Sequence, residues 1–204
     1  MRTRLVLASA SPARRRLLQA AGIEPEVVVS GVDESAVEAA TAEELCLTLA
    51  TLKAEAIPAR DALVLGCDSV LAFQGEVLGK PADADEATKR WLRMRGNHGV
   101  LHTGHCLIDP DGRRARAVAS TVVHFAEVSD AEIAAYVATG EPLHVAGAFT
   151  IDGIGGAFVE RLEGDHGNVV GLSLPLFRKL LADLGRNITD LWRGHDPQDT
   201  ADDR

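Results

Sequence analysis

The sequence predicts an α/β domain built on a mixed, twisted sheet flanked by helices. Short Leu- and Val-rich runs alternate with segments of helical apolar spacing, and hairpin signals stand among them, which mixes strand directions in one sheet. At 204 residues, 46% of them hydrophobic and 25% charged, the chain is long enough to bury a core and too apolar to stay disordered.

Each element has its own signal. Leu5 to Ala8 is an apolar run suited to a buried strand, and Ser11 with Pro12 supplies a cap and a first helical residue for a helix that stops at Gly22. Glu26 to Ser30 reads as a second strand. Thr41 to Arg60 reads as a helix, opened by Thr41 and Glu44 and lined by Leu45, Leu49 and Leu52. Leu63 to Phe73 is a strand that Gln74 and Gly75 turn back through Val77 and Leu78. Asp83 and Glu86 open a helix that closes at Gly96; Val100 to Ile108 and Ala117 to Phe125 are strands joined by the turn Asp109-Pro110-Asp111-Gly112. Ser129 with Glu132 opens a helix ending near Gly140, and Ser173 with Pro175 opens the last, ending at Gly185. One domain is expected over residues 1–186. Residues 187–204 are expected as a polar tail, without periodicity from about His195 onward.

Composition excludes several classes of function. With 21 basic against 30 acidic residues the net charge is −9, which argues against a broad grip on a nucleic-acid polymer or an anionic membrane. Aromatics are only 4%, leaving little to stack on single-stranded bases. No apolar stretch approaches the roughly 20 residues of a membrane helix, and Met1 to Ser11 reads as a first strand rather than a signal peptide. The cysteines Cys46, Cys67 and Cys106 form no close pair, so a reduced, cytoplasmic setting is expected.

Any anion must therefore be held locally. Arg14, Arg15 and Arg16 crowd the first turn of the first helix, where the helix dipole disfavours cations; a bound anion would resolve the conflict, and so would solvation. Asp68 lies among Leu63, Val64, Leu65, Val70 and Leu71, and a carboxylate there needs a cation, a metal or a rim position. Gly75 to Pro81 fails the phosphate-loop pattern, since three residues rather than four separate its glycines and Pro81 stands where a metal-binding hydroxyl belongs; Lys80 survives as a cation near the strand of Asp68. Gly153, Gly155 and Gly156 fail the dinucleotide fingerprint because Phe158 takes its third glycine position, leaving a close backbone approach or a bulge. His102 and His105, three apart in a strand, point to opposite faces and cannot share a metal.

Taken in order, these segments resemble the Maf family of nucleoside triphosphate pyrophosphatases. The resemblance rests on Leu7 to Pro12 before the arginines, Gly66 to Val70, Gly79-Lys80-Pro81, Thr103-Gly104, Tyr136 through Gly140-Glu141-Pro142 to Phe149, Glu160 to Asp165, and Asn168 to Leu172. It covers roughly Arg4 to Gly185 and implies a fold with a deep cleft similar to that of inosine triphosphatase, a cytoplasmic homodimer, Mg²⁺ or Mn²⁺, and hydrolysis of a nucleoside triphosphate to monophosphate and pyrophosphate. It places the general-base aspartate on Asp68 and phosphate-binding lysines on Lys53 and Lys80. The Ser-x-Ser-Pro segment falls on Ser9, Ser11 and Pro12, and the matching arginine on Arg14, the position before it being Ala13. The acidic position after the second strand is Asp33 or Glu34, with Glu34 the candidate to join Asp68 on the metal. Asp152 stands where the branch acting on thymidine and uridine triphosphates has a glutamine. The alternative function is a nucleotide-binding regulator of septum formation with little turnover.

Overall fold

The computed structural model describes residues 3–58 and 61–192. The chain runs β1 (Leu5–Leu7), α1 (Pro12–Ala20), β2 (Glu26–Val27), α2 (Ala42–Glu55), β3 (Leu63–Phe73), β4 (Glu76–Leu78), α3 (Ala84–Met94), β5 (His98–Ile108), β6 (Arg114–Phe125), α4 (Asp130–Ala138), β7 (Val159–Glu163), α5 (His166–Val170) and α6 (Leu174–Asp183). Short 3-10 turns lie between them, among them Glu34–Ala36, Glu141–His144 and Ile154–Phe158.

The seven strands form one sheet in the order β2-β1-β3-β5-β6-β7, with β4 added on β3. β1 is parallel to β2 and β3, whereas the pairs β3–β4, β3–β5, β5–β6 and β6–β7 are antiparallel, so the sheet is mixed as expected. One apolar cluster joins Leu5, Leu18, Leu65, Phe177 and Leu181. A second gathers Leu71, Phe73, Trp91, Phe125, Tyr136 and Phe149, with the Trp91 ring meeting Phe125 and Tyr136 edge-on.

Four details differ from the sequence reading. β2 is confined to Glu26–Val27 and α2 to Ala42–Glu55. The residues that α2 buries are Ala42, Cys46, Leu49, Ala50, Thr51, Lys53 and Ala54, while Leu52 is exposed. Small residues face the sheet because the helix sits close: a Cβ on Gly66 of β3 would collide with the Ala50 carbonyl, and one on Gly104 of β5 with the Cys46 carbonyl. β7 and α5 carry no signal in the sequence reading; β7 is short and mostly exposed, paired among the described residues only with β6, and α5 is a single turn. Finally, residues 187–192 are packed, with Leu191 in the first cluster and Trp192 bridged to Ile23. The rest of the expected tail, 193–204, lies outside the described residues.

Candidate active site

A strand has two edges, and β5 lies along one edge of β3 from Val64 to Ala72. On the other edge β1 pairs with Leu63–Leu65 and β4 with Leu71–Phe73. Among the described residues no strand therefore lies beside residues 66–70 on that side, and the sheet is notched there. Asp68 stands at the middle of the notch. Because consecutive strand residues project to opposite faces, Asp68 and Ser69 found two different clusters.

On the face covered by α2, Lys53 Nζ lies 2.6 Å from Asp68 Oδ1 and 2.8 Å from Glu34 Oε1. Lys53 and Asp68 are buried, whereas Glu34 stays half exposed on its 3-10 turn. Asp33 is the N-cap of that turn, its carboxylate accepting from the Ser35 amide, so of the two acidic candidates Glu34 is the one that reaches Lys53. Burial pushes the Asp68 carboxyl above the usual aspartate range; the charge and hydrogen bond of Lys53 and the charge of Arg14 pull it back, and Glu34 pushes it up again. Asp68 Oδ1 is taken by Lys53, while Oδ2 accepts no hydrogen bond among the described residues. That oxygen is available to a water.

On the opposite face, Ser11 caps α1 by accepting from the Arg14 amide, and the Arg14 side chain turns inward. Its guanidinium donates from Nε to the Gly171 carbonyl at 2.7 Å, from Nη1 to Ser9 Oγ at 2.9 Å and from Nη2 to Ser69 Oγ at 3.0 Å. Ser9 Oγ also accepts from the Ser11 amide, and Ser69 Oγ meets Thr103 Oγ1, which donates to the Asn168 carbonyl. Gly171 is needed here: φ is +125° and a Cβ would press on Arg14 Nε. The three arginines part ways, since Arg15 pairs with Glu24 and Arg16 with Asp152, each at 3.2 Å.

The notch thus collects Ser9, Ser11, Arg14, Glu34, Lys53 and Asp68. Lys80 follows β4 as an exposed side chain, with no hydrogen bond or ion pair to these groups among the described residues; the adjoining Gly79 carbonyl accepts from Gly147 and Arg90. Asp152 reaches the group only through Arg16 and α1. His102 bonds Ser120 and faces Glu43, while His105 accepts from the Ser173 amide on the other side of the sheet, so the two do point apart. All three thiols are buried, and burial raises Cys46 and Cys67 to about 12, which leaves them protonated and poor nucleophiles.

Among the described residues no three His, Cys, Asp or Glu converge as a metal cage. Glu34 and Asp68 do converge on one cation, the Lys53 ammonium. Two carboxylates facing a single positive charge match what Mg²⁺ commonly takes from a protein when phosphates and water complete its shell, so the residues fit a divalent ion. Ser69, Thr103 and Asn168 complete the hydrogen-bonded group around Arg14, and the residue-by-residue reading gives none of them a place there. They sit inside the motif segments, but hydroxyl contacts between a strand and a helix far away in the chain leave no periodicity to read.

The profile of a family described as Maf-like protein matches residues 4–184. A protein named nucleoside triphosphate pyrophosphatase from Salinispora tropica is 70% identical over 93% of this chain and 87% of its own length. Proteins of the same name from Streptomyces coelicolor and Nostoc punctiforme are 63% and 56% identical, over 94% and 92% of this chain and 95% and 97% of theirs.

Proposed function

The chain belongs to the Maf-like protein family, and from that membership we propose that it is a nucleoside triphosphate pyrophosphatase, releasing pyrophosphate and leaving the monophosphate. The observation that carries the reading is a buried, lysine-paired aspartate at the open edge of a central strand, beside a buried guanidinium. Asp68 Oδ2 holds a water and takes its proton as the water oxygen bonds to the α-phosphorus. The bond from that phosphorus to the oxygen it shares with the β-phosphate breaks, and its electron pair leaves with pyrophosphate. Lys53 keeps Asp68 oriented by its hydrogen bond and offers positive charge to the polyphosphate, as do Arg14, with N–H donors beyond the three already committed, and Lys80. Ser9 and Ser11 shape the turn that aims Arg14 and place hydroxyls toward the phosphates. Asp152 is assigned to the base or sugar side. Glu34 and Asp68 would hold Mg²⁺ or Mn²⁺, which supplies charge neutralisation at the polyphosphate when bound.

The decisive experiment is a panel of ordinary and modified nucleoside triphosphates assayed for pyrophosphate and orthophosphate with Mn²⁺. Pyrophosphate as first product, lost by about 10²–10⁴-fold in kcat on Asp68→Asn, is the expected result. Orthophosphate first, or tight binding with no product, overturns it; the second outcome is that of a binding regulator. The resemblance also carries a cytoplasmic homodimer, for which light scattering of the purified protein at working concentration is the check. No helix among the described residues is long and apolar enough to cross a membrane.

A further inference from the structure

Between Phe149, buried in the second cluster, and Phe158, packed against it, the chain makes an excursion that carries Asp152. Both ends of this excursion are pinned. The Ala148 carbonyl accepts from Trp91 Nε1 at 2.8 Å, and the Phe158 carbonyl accepts from the Ala126 amide at 2.9 Å. What shapes the middle is one carboxylate. Glu141 Oε1 accepts from Tyr136 Oη at 3.0 Å, Thr150 Oγ1 at 2.5 Å and the Gly155 amide at 2.9 Å, while Oε2 accepts from the Ile154 amide at 3.0 Å. Tyr136 Oη in turn accepts from the Thr150 amide.

Four donors on two oxygens is a set that only an acceptor-only group satisfies; a glutamine would turn N–H groups toward donors. The loop's glycines serve the same contact. A Cβ on Gly153 would press on Glu141 Oε2, and one on Gly155 would collide with Tyr136 Oη. At its outer end the loop delivers Asp152 to Arg16, two residues along α1 from Arg14. The hub thus lies at one end of a covalent and ion-paired chain that runs Glu141, loop, Asp152, Arg16 and the arginine-bearing turn of α1.

We propose that Glu141 is a positioning residue which, by folding residues 150–156 around its carboxylate, holds Asp152 at the margin of the site and thereby sets nucleotide affinity. This rests on the pyrophosphatase reading for what Asp152 contacts. Burial pushes the Glu141 carboxyl up, but the hydrogen bonds from Thr150, Gly155, Ile154 and Tyr136 together hold it below the usual glutamate range, so the hub stays intact at neutral pH.

The test compares wild type, Glu141→Gln, Asp152→Ala and the double variant by steady-state kinetics and by calorimetric binding of an α,β-methylene nucleoside triphosphate. Hydrogen exchange over residues 150–156 is measured in parallel. Glu141→Gln is expected to raise KM and the analogue's Kd by about tenfold while kcat stays within about threefold, the split expected of lost binding rather than lost chemistry. Exchange in the loop should rise, and the double variant should be little worse than either single one, because both act through one contact. Should Glu141→Gln fail to fold, Thr150→Val and Tyr136→Phe, which each remove a donor and keep the charge, are expected to move KM the same way by a smaller factor.

An unchanged KM, a fall confined to kcat, or additive effects of the two substitutions overturns the role of Glu141 and leaves the activity assignment standing. A wild type that binds the analogue but forms no pyrophosphate overturns the activity assignment instead, and the calorimetric comparison then decides the role of Glu141. A wild type that does neither overturns both.

Discussion

At Asp68 two opposing effects meet: burial favours the protonated acid, and the Lys53 ammonium favours the carboxylate. The pair is therefore consequential for stability as well as for chemistry. Lys53→Met leaves two carboxylates facing each other without their shared cation, and a loss of about 3 kcal/mol is expected. Adding Asp68→Asn removes the orphaned charge and should restore most of that stability but none of the turnover, which urea melts and a pyrophosphate assay read separately. If Lys53→Met is as stable as wild type, the ammonium is not what holds the two acids together. His105 gives the pH counterpart. Its ring is buried, with Nδ1 against the Thr103 carbonyl at 3.0 Å and Nε2 accepting from Ser173, and burial drops it to about 4, with Arg14 opposing and Asp165 favouring protonation. The unfolded chain binds this proton first, near pH 6.5, so stability is complete above that value and falls as pH drops toward 4. The loss from this one group is roughly 3 kcal/mol. Imidazole NMR should find one ring titrating near 4; a set of rings all titrating near 6.5 would refute this.

At the scale of elements, the seat of α2 on β3 and β5 decides where Lys53 stands. The helix comes close because Gly66 and Gly104 present no side chain to the carbonyls of Ala50 and Cys46. Gly104→Ala lifts α2 at Cys46, two turns before Lys53. A loss of about 1–3 kcal/mol is expected from overpacking, with a parallel fall in kcat as the ammonium moves off Asp68. Denaturant melts and turnover on the same sample check it, and a variant that keeps both would show that the helix is not seated on these glycines. This contact also explains why, of the Leu45, Leu49, Leu52 spacing, Leu49 is buried and Leu45 packs against the core while Leu52 stays exposed. Helical period was legible, but which stripe turns inward depends on how near the sheet lies, and close approach selects Ala42, Cys46, Ala50 and Ala54 over Leu52. The hairpin and the caps of α1, α2, α3, α4 and α6 were legible, because Ser11, Thr41, Asp83, Ser129 and Ser173 each act on an amide three residues on, whereas Asp165, which caps the single turn of α5, was not.

Across the whole molecule, the notch lies between two apolar clusters, one holding Leu18 and Phe177 and the other Trp91 and Tyr136. A ligand bridging the Arg14 side and the Asp152 side ties both to one another. With a non-hydrolysable nucleotide at about 100 times its Kd, the stabilisation is about 2.7 kcal/mol, which for a chain of this size raises the melting midpoint by roughly 5–10 °C. Scanning calorimetry should record one transition moving as a unit, and chelation with EDTA should shrink the shift. A shift indifferent to EDTA would remove the divalent ion from the reading.

The sequence by itself determined the class of sheet, most element boundaries, the family and an aspartate that had to find a cation, since these follow from spacing, caps and the cost of burying charge. Only the tertiary structure decided that Glu34 rather than Asp33 joins Lys53, that of three neighbouring arginines Arg14 alone turns inward, and that Glu141 gathers a loop around itself. The physical reason is reach. A cap or a turn is settled within four residues, whereas the bond from Arg14 on α1 to Gly171 after α5 and that from Lys53 on α2 to Asp68 on β3 exist only once the helices are packed on the sheet.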